Sequence, residues 1–164
     1  MEASSFDWKK LVGKEFPERV VEYNKRDLIL YALGVGAKDL RFIYELHDQF
    51  SVLPSYLTVL PFNPSSPHDV IPFASKNASK FEGIKFDPSR LLHADEEVEI
   101  FGEIPKEGRF RLREKIVDVL DKGTGCLIYS ELNIYPENSH EAIGRCFQKS
   151  IYFIYFISSL YPKD

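Results

Sequence analysis

Apolar and polar positions divide the chain into two unlike halves. In the second half the period is two. Arg109, Arg111, Arg113 and Lys115 alternate with Phe110, Leu112, Glu114 and Ile116, which is the spacing of a half-buried strand. Residues 126–135 repeat the pattern with Ile128, Leu132 and Ile134 on one face. Between the two runs, Asp121-Lys122-Gly123-Thr124-Gly125 supplies a turn with two glycines, so a long β-hairpin closed by about five residues is predicted. Residues 91–104 contain a further strand pattern, with Val98 and Ile100 set against charged neighbours. After a turn at 136–139, residues 141–156 read as a last long strand.

The first half predicts helices. Phe6, Trp8, Leu11 and Val12 form an apolar stripe on a short helix over 6–16 that Gly13 ends. Residues 18–23 suit a short strand or an extended linker. Asn24 has the chemistry of an N-cap, and Asp27 stands where a capping box places its acid. Leu28, Leu30, Tyr31, Ala32, Leu33 and Val35 then run nearly all round the helix, a distribution that implies deep burial. Gly34 and Gly36 end it. Residues 39–50 read as a short strand or turn, and 51–62 as a helix starting near Pro54, with proline in its first turn. A loop at 63–67 and a weakly helical stretch at 68–81 follow. Helices gather early and antiparallel strands late, with no linker between, so residues 1–164 are expected to form one α+β domain.

Composition narrows this further. A chain of 164 residues buries a core without disulfide or metal staples. With 44% hydrophobic and 28% charged residues it is not a disordered chain. A net charge of −4 gains little from phosphate neutralisation, so nucleic acid is not the expected partner. The longest apolar run, 151–157, falls short of the roughly 20 residues of a membrane helix, and no span is expected. The N-terminus has no apolar run, so no signal peptide is expected, and the C-terminus is not a peroxisomal address. Cys126 and Cys146 match no zinc or redox spacing and read as free thiols in a reducing compartment.

Motifs of phosphate-binding loops, nucleophile elbows, zinc proteases and dinucleotide sites are missing. His47-Asp48 and His68-Asp69 are adjacent pairs, and His93 precedes Asp95 by two, but the further spaced ligands of a metal site do not accompany them, so none is expected. His140 reads as a solvated turn residue. The basic stripe from Arg109 to Lys115 reads as a solvated strand face or as a surface for ligand phosphates or a partner subunit.

Several stretches carry a family resemblance. They are Leu30-Tyr31-Ala32-Leu33-Gly34-Val35-Gly36-Ala37, Leu40-Arg41-Phe42-Ile43-Tyr44-Glu45 and Phe50-Ser51-Val52-Leu53-Pro54. Leu91-Leu92-His93 and Val117-Asp118-Val119-Leu120-Asp121-Lys122-Gly123-Thr124-Gly125 follow in order. Together, over roughly residues 16–150, they resemble the N-terminal unit of the peroxisomal 2-enoyl-CoA hydratase 2 part of multifunctional enzyme type 2, within the MaoC-like group. The resemblance implies a hot-dog fold, an antiparallel sheet wrapped round a central helix. It implies fatty acyl-CoA β-oxidation and hence a peroxisomal setting, with a coenzyme A thioester as ligand and no other cofactor. In the family, a C-terminal unit carries the catalytic Asp and His that hydrate trans-2-enoyl-CoA to the (3R)-hydroxyacyl-CoA, and the N-terminal unit shapes the acyl pocket. This chain has only the N-terminal type. Asn63-Pro64-Ser65-Ser66-Pro67-His68 does not reproduce the catalytic segment, and hydration needs an acid and a base both within reach.

Two family ligand contacts map onto His93 and Lys122, with Ala94 standing where glycine is usual. The resemblance therefore implies an acyl-CoA-binding unit or truncated form, inactive alone, that forms a homodimer or pairs with a catalytic hot-dog unit. Two alternatives stay open: a hydratase or thioesterase that uses displaced residues such as His68, Asp69 or His93, and a structural hot-dog dimer without ligand.

Overall fold

The computed structural model describes residues 8–65, 90–123 and 125–153. Its frame is one antiparallel sheet of β1 (Arg19–Tyr23), β2 (Leu91–Ile100), β3 (Gly108–Asp121), β4 (Gly125–Pro136) and β5 (Gly144–Phe153), ordered β1-β3-β4-β5-β2. The predicted hairpin is its centre. Phe110 faces Pro136 at one end and Asp121 faces Cys126 at the other. At the turn the Lys122 N–H donates to the Gly125 carbonyl at 2.8 Å. Gly123 takes a φ of +79° there, a conformation that side chains resist. β5 begins at Gly144 instead of 141, because the Ser139 hydroxyl accepts from the Glu141 N–H and holds the preceding residues in a turn. The end of the expected strand, 154–156, lies outside the described residues.

Alternation along β4 separates two faces. Cys126, Ile128, Leu132 and Ile134 are buried on the inner face. The outer face is laced with ion pairs, Arg109–Glu137 at 2.7 Å, Arg113–Glu18 at 2.7 Å, Lys115–Glu131 at 3.2 Å and Arg145–Glu99 at 2.7 Å among them. The basic stripe of β3 is thus neutralised within the chain. Burial pushes the Glu131 carboxyl up. Hydrogen bonds from Asn133 and Lys115 and the Lys115 and Arg145 charges outweigh that and hold it below its ordinary value.

The inner face carries two separate apolar clusters. One gathers Leu112, Leu132, Ile134 and Cys146 with Tyr23, Tyr56, Leu57 and Leu60. The other gathers Ile116, Val119, Cys126, Ile128 and Tyr152 under Trp8 and Leu11. The helices are α1 (Lys25–Gly34), α2 (Leu40–Ile43) and α3 (Tyr56–Val59), which continues as a 3-10 turn over Leu60–Phe62. Leu57 and Leu60 are fully buried, so the sheet curls round α3 and its extension. Gly144 permits this approach: a Cβ there would stand 2.8 Å from Leu57 Cδ1 and 3.0 Å from the Glu99 carbonyl oxygen.

Four further expectations are corrected. Of the helix expected over 6–16, residues 6–7 lie outside the described residues and the rest holds only a 3-10 turn, Trp8–Leu11, because Gly13 takes a φ of +82° and Glu15 then bridges to Lys115 beside β3. Residues 39–50 are neither strand nor mere turn. Asp39 caps α2 by accepting from the Arg41 N–H. The helix expected near Pro54 begins at Tyr56, after a turn in which the Leu57 N–H donates to the Pro54 carbonyl. The largest correction concerns α1. Its Asn24/Asp27 capping box forms as read, but deep burial does not follow. Only Leu28 and Ala32 are buried, while Leu30, Leu33 and Val35 are 68%, 54% and 56% exposed. A helix lying on the rim of the sheet buries one i, i+4 stripe and leaves its other apolar positions outside. The stretch 68–81, including His68 and Asp69, lies outside the described residues. Among the described residues, no helix is long and apolar enough to cross a membrane.

Candidate functional site

The residues singled out from sequence fall at one end of the sheet, where the β3–β4 turn, the close of β5 and the start of β2 meet. Lys122 sits in the turn. The Asp121 carboxylate accepts from the Gly123 N–H at 2.7 Å, so the acid beside the lysine is spent on holding the turn. Unlike Arg109, Arg113 and Lys115, Lys122 has no ion-pair partner among the described residues, and it is exposed. It borders a shallow pocket of about 170 Å³ lined by Gly125, Cys126, Leu127, Ile151 and Phe153. Leu127 and Ile151 face each other across β4 and β5 with the opposite phase to buried Cys126 and Tyr152, so this pocket opens on the outer face. An unpaired ammonium beside an apolar floor suits an anionic group joined to a greasy one.

His93 lies two strands away. It pairs with Ser150, which pairs with Ile128, and so shares the inner phase. Ala94 is the extra residue of a β-bulge between His93 and Asp95. The bulge changes the phase of β2, which brings His93 and Glu96 to the same face, with Nε2 and Oε2 3.8 Å apart. Asp95 points the other way and is hydrogen-bonded by Lys149, which holds its carboxyl below the usual range. Burial pushes the Glu96 carboxyl up, against the opposing His93 charge. His93 and Lys122 thus share an end of the sheet but not a pocket, and a ligand touching both must pass round that end.

Sequence reading missed the company that Glu96 keeps. Gln148 lies opposite it, and Ser130 lies opposite Gln148. In sequence Asp95-Glu96-Glu97 is only a charged run, and the face of each member depends on the bulge at Ala94. Cys126 and Cys146 are buried and their thiols are pushed up to about 12 by burial, so neither is a nucleophile in this environment. Among the described residues no three or more His, Cys, Asp or Glu side chains gather as metal ligands.

A second pocket, about 270 Å³, lies between β1, α1 and α3, with Glu22, Asp27, Tyr31, Tyr56 and Asn63 on its walls. Tyr56 is pushed up to about 12, chiefly by burial, and its hydroxyl accepts from Asn63 Nδ2 at 2.7 Å. Tyr31 donates to the Ser55 carbonyl and hydroxyl. These phenols serve to tie α1 to the segment around α3.

Comparison with known proteins gives a consistent picture. The model of the MFE-2 hydratase 2 N-terminal domain matches residues 21–155. The probable enoyl-CoA hydratase 2 of Dictyostelium discoideum is 40% identical over 126 residues, 74% of this chain and 40% of that protein. The peroxisomal enoyl-CoA hydratase 2 of Arabidopsis thaliana is 27% identical over 161 residues, 92% of this chain and 48% of that one. The crystal structure of a MaoC-like dehydratase from Phytophthora capsici superposes with a TM-score of 0.77 at 32% identity, covering 89% of this chain and 49% of the other. The chain spans half or less of the length of these relatives.

Proposed function

The chain belongs to the family of MFE-2 hydratase 2 N-terminal domains, and from that premise we propose that it is an acyl-CoA-binding hot-dog unit that does not hydrate its ligand alone. The observation that carries this reading is Lys122, a cation without an ion-pair partner among the described residues and beside an apolar pocket, on a sheet where Arg109, Arg113 and Lys115 of the basic stripe are ion-paired. The lysine would take a phosphate of coenzyme A, and the thioester's acyl part would run toward the His93 end of β2. No further cofactor is needed for that role.

Catalysis would come from a second hot-dog unit, which the relatives' greater length leaves room for. The edge of β2 that no other described strand covers is where a second sheet would add on. We place the chain in the peroxisome, where the Arabidopsis relative resides by name.

The active alternative has one observation in its favour, the His93–Glu96 pair, since an acid and a base side by side could in principle move protons. A structural dimer without ligand leaves the unpaired Lys122 unexplained. Assay of the purified chain on a trans-2-enoyl-CoA separates these readings. The expected result is no (3R)-hydroxyacyl-CoA above background. Turnover abolished by His93→Ala and Glu96→Gln would establish the active alternative.

A further inference from the structure

We propose that the middle of the inner sheet face is a polar acyl subsite, selecting acyl groups that carry a hydrogen-bonding oxygen part-way along the chain over plain alkyl chains. The inference rests on the acyl-CoA reading above and refines it. Inner-face positions in this fold are core positions, and at both ends of the sheet they are apolar and covered. Between the two clusters they are not. One row across the strands reads Glu96, Gln148, Ser130, and the next toward the Lys122 end begins His93, Ser150. With strands about 4.8 Å apart, the row of three spans roughly 10 Å. The band is flanked by Leu132 and Cys146 on one side and by Ile128 and Val119 on the other.

Ser130, Gln148 and Ser150 are half-buried, yet among the described residues none of their side chains has a hydrogen-bond partner. The side chain of Glu96 is only 15% exposed, and its sole partner among the described residues is His93 at 3.8 Å, beyond hydrogen-bond length. Elsewhere on the chain, comparable polar groups are satisfied: Asn63, Asn133 and Tyr56 all bond to neighbours. An alkyl chain laid across this band would strip water from donors and acceptors and return nothing. Burying each such group without a partner costs more than burying one methylene gains. A ligand oxygen placed over Gln148 and the serines would satisfy them instead. A site built this way rejects the analogue that lacks the polar group.

The test compares two ten-carbon acyl groups, one plain and one with a mid-chain hydroxyl, each as the coenzyme A thioester and as the thioester of N-acetylcysteamine, which lacks the nucleotide. Wild-type chain is titrated calorimetrically beside a Gln148→Leu/Ser130→Val variant. The expected result is a preference of about tenfold or more for the hydroxylated group, lost or reversed in the variant. In the absence of ligand the variant should also melt a few degrees higher, because unpartnered polar groups have left a half-buried face. Equal or better binding of the plain chain by wild type overturns the subsite while leaving acyl-CoA binding intact. Preference shown by the N-acetylcysteamine thioesters but no gain from coenzyme A keeps the subsite and overturns the nucleotide contact. Binding of neither acyl group in either form overturns both. A variant that fails to fold also counts against the subsite, since it would mean that the band has a structural role.

Discussion

A single methyl group at residue 144 would decide whether α3 can lie on the sheet. The Cβ of Gly144→Ala would fall 2.8 Å from Leu57 Cδ1 and 3.0 Å from the Glu99 carbonyl oxygen, inside contact distance, and Leu57 is fully buried. Overpacking of this kind costs about 1–3 kcal/mol, so urea denaturation should show the midpoint falling with the slope unchanged. An unaltered midpoint would mean that α3 sits further from β5 than described. Glu96 makes a second residue-scale case, with the opposite sign. Its carboxyl is raised above the ordinary 4.5, chiefly by burial, so the native state holds that proton more tightly than the unfolded chain. Stability from this group is present below 4.5 and is lost as pH rises through the native value. Glu96→Gln should therefore stabilise the chain at neutral pH by up to about 1 kcal/mol, and the gain should vanish as pH falls toward 4.5. Thermal melts across that range check it. A gain that persists at low pH would contradict burial as the cause.

Elements differ in how much of themselves they write into sequence. The β3–β4 hairpin was legible because its period, its turn glycines and its partner are local. The capping box at Asn24 was legible for the same reason. What α1 packs against was not. Leu30 and Leu33 have the same hydrophobicity as Leu28, and only tertiary placement sends Leu28 inward and leaves the others exposed. The bulge at Ala94 was equally hidden. It decides that Glu96 joins His93, and no propensity marks it. The candidate site was half legible: Lys122 and His93 came from motif resemblance, but their separation onto two faces, and the polar band, came only with the register. β2 carries an element-scale prediction. Among the described residues only β5 flanks it, so they leave one edge of a ten-residue strand open, with Leu92 and Ile100 55% and 42% exposed. Open apolar edges recruit another strand. Light scattering should show a mass that rises with concentration. Leu92→Lys with Ile100→Lys should hold the chain monomeric, at a stability change within about 0.5 kcal/mol. A monomer at all concentrations in the unaltered chain would contradict pairing through this edge.

At the scale of the whole molecule, the features outside the core are what a lone domain would not need: an apolar rim along α1 and α2, an open strand edge, and an unpaired lysine over a greasy pocket. The proposed arrangement, a binding half beside a second unit with the ligand at the shared end of the sheet, would account for each. Of these, ligand binding is the most direct to measure. Calorimetric titration of the purified chain with a long-chain acyl-CoA, run in parallel on Lys122→Ala, tests it. Loss of a charge-assisted contact worth about 1.5–3 kcal/mol corresponds to roughly 10- to 150-fold in affinity. The expected result is measurable binding by the unaltered chain and a loss of that size in the variant. No heat at millimolar ligand, or equal affinity in the two proteins, would contradict the assignment of this unit to acyl-CoA binding through Lys122.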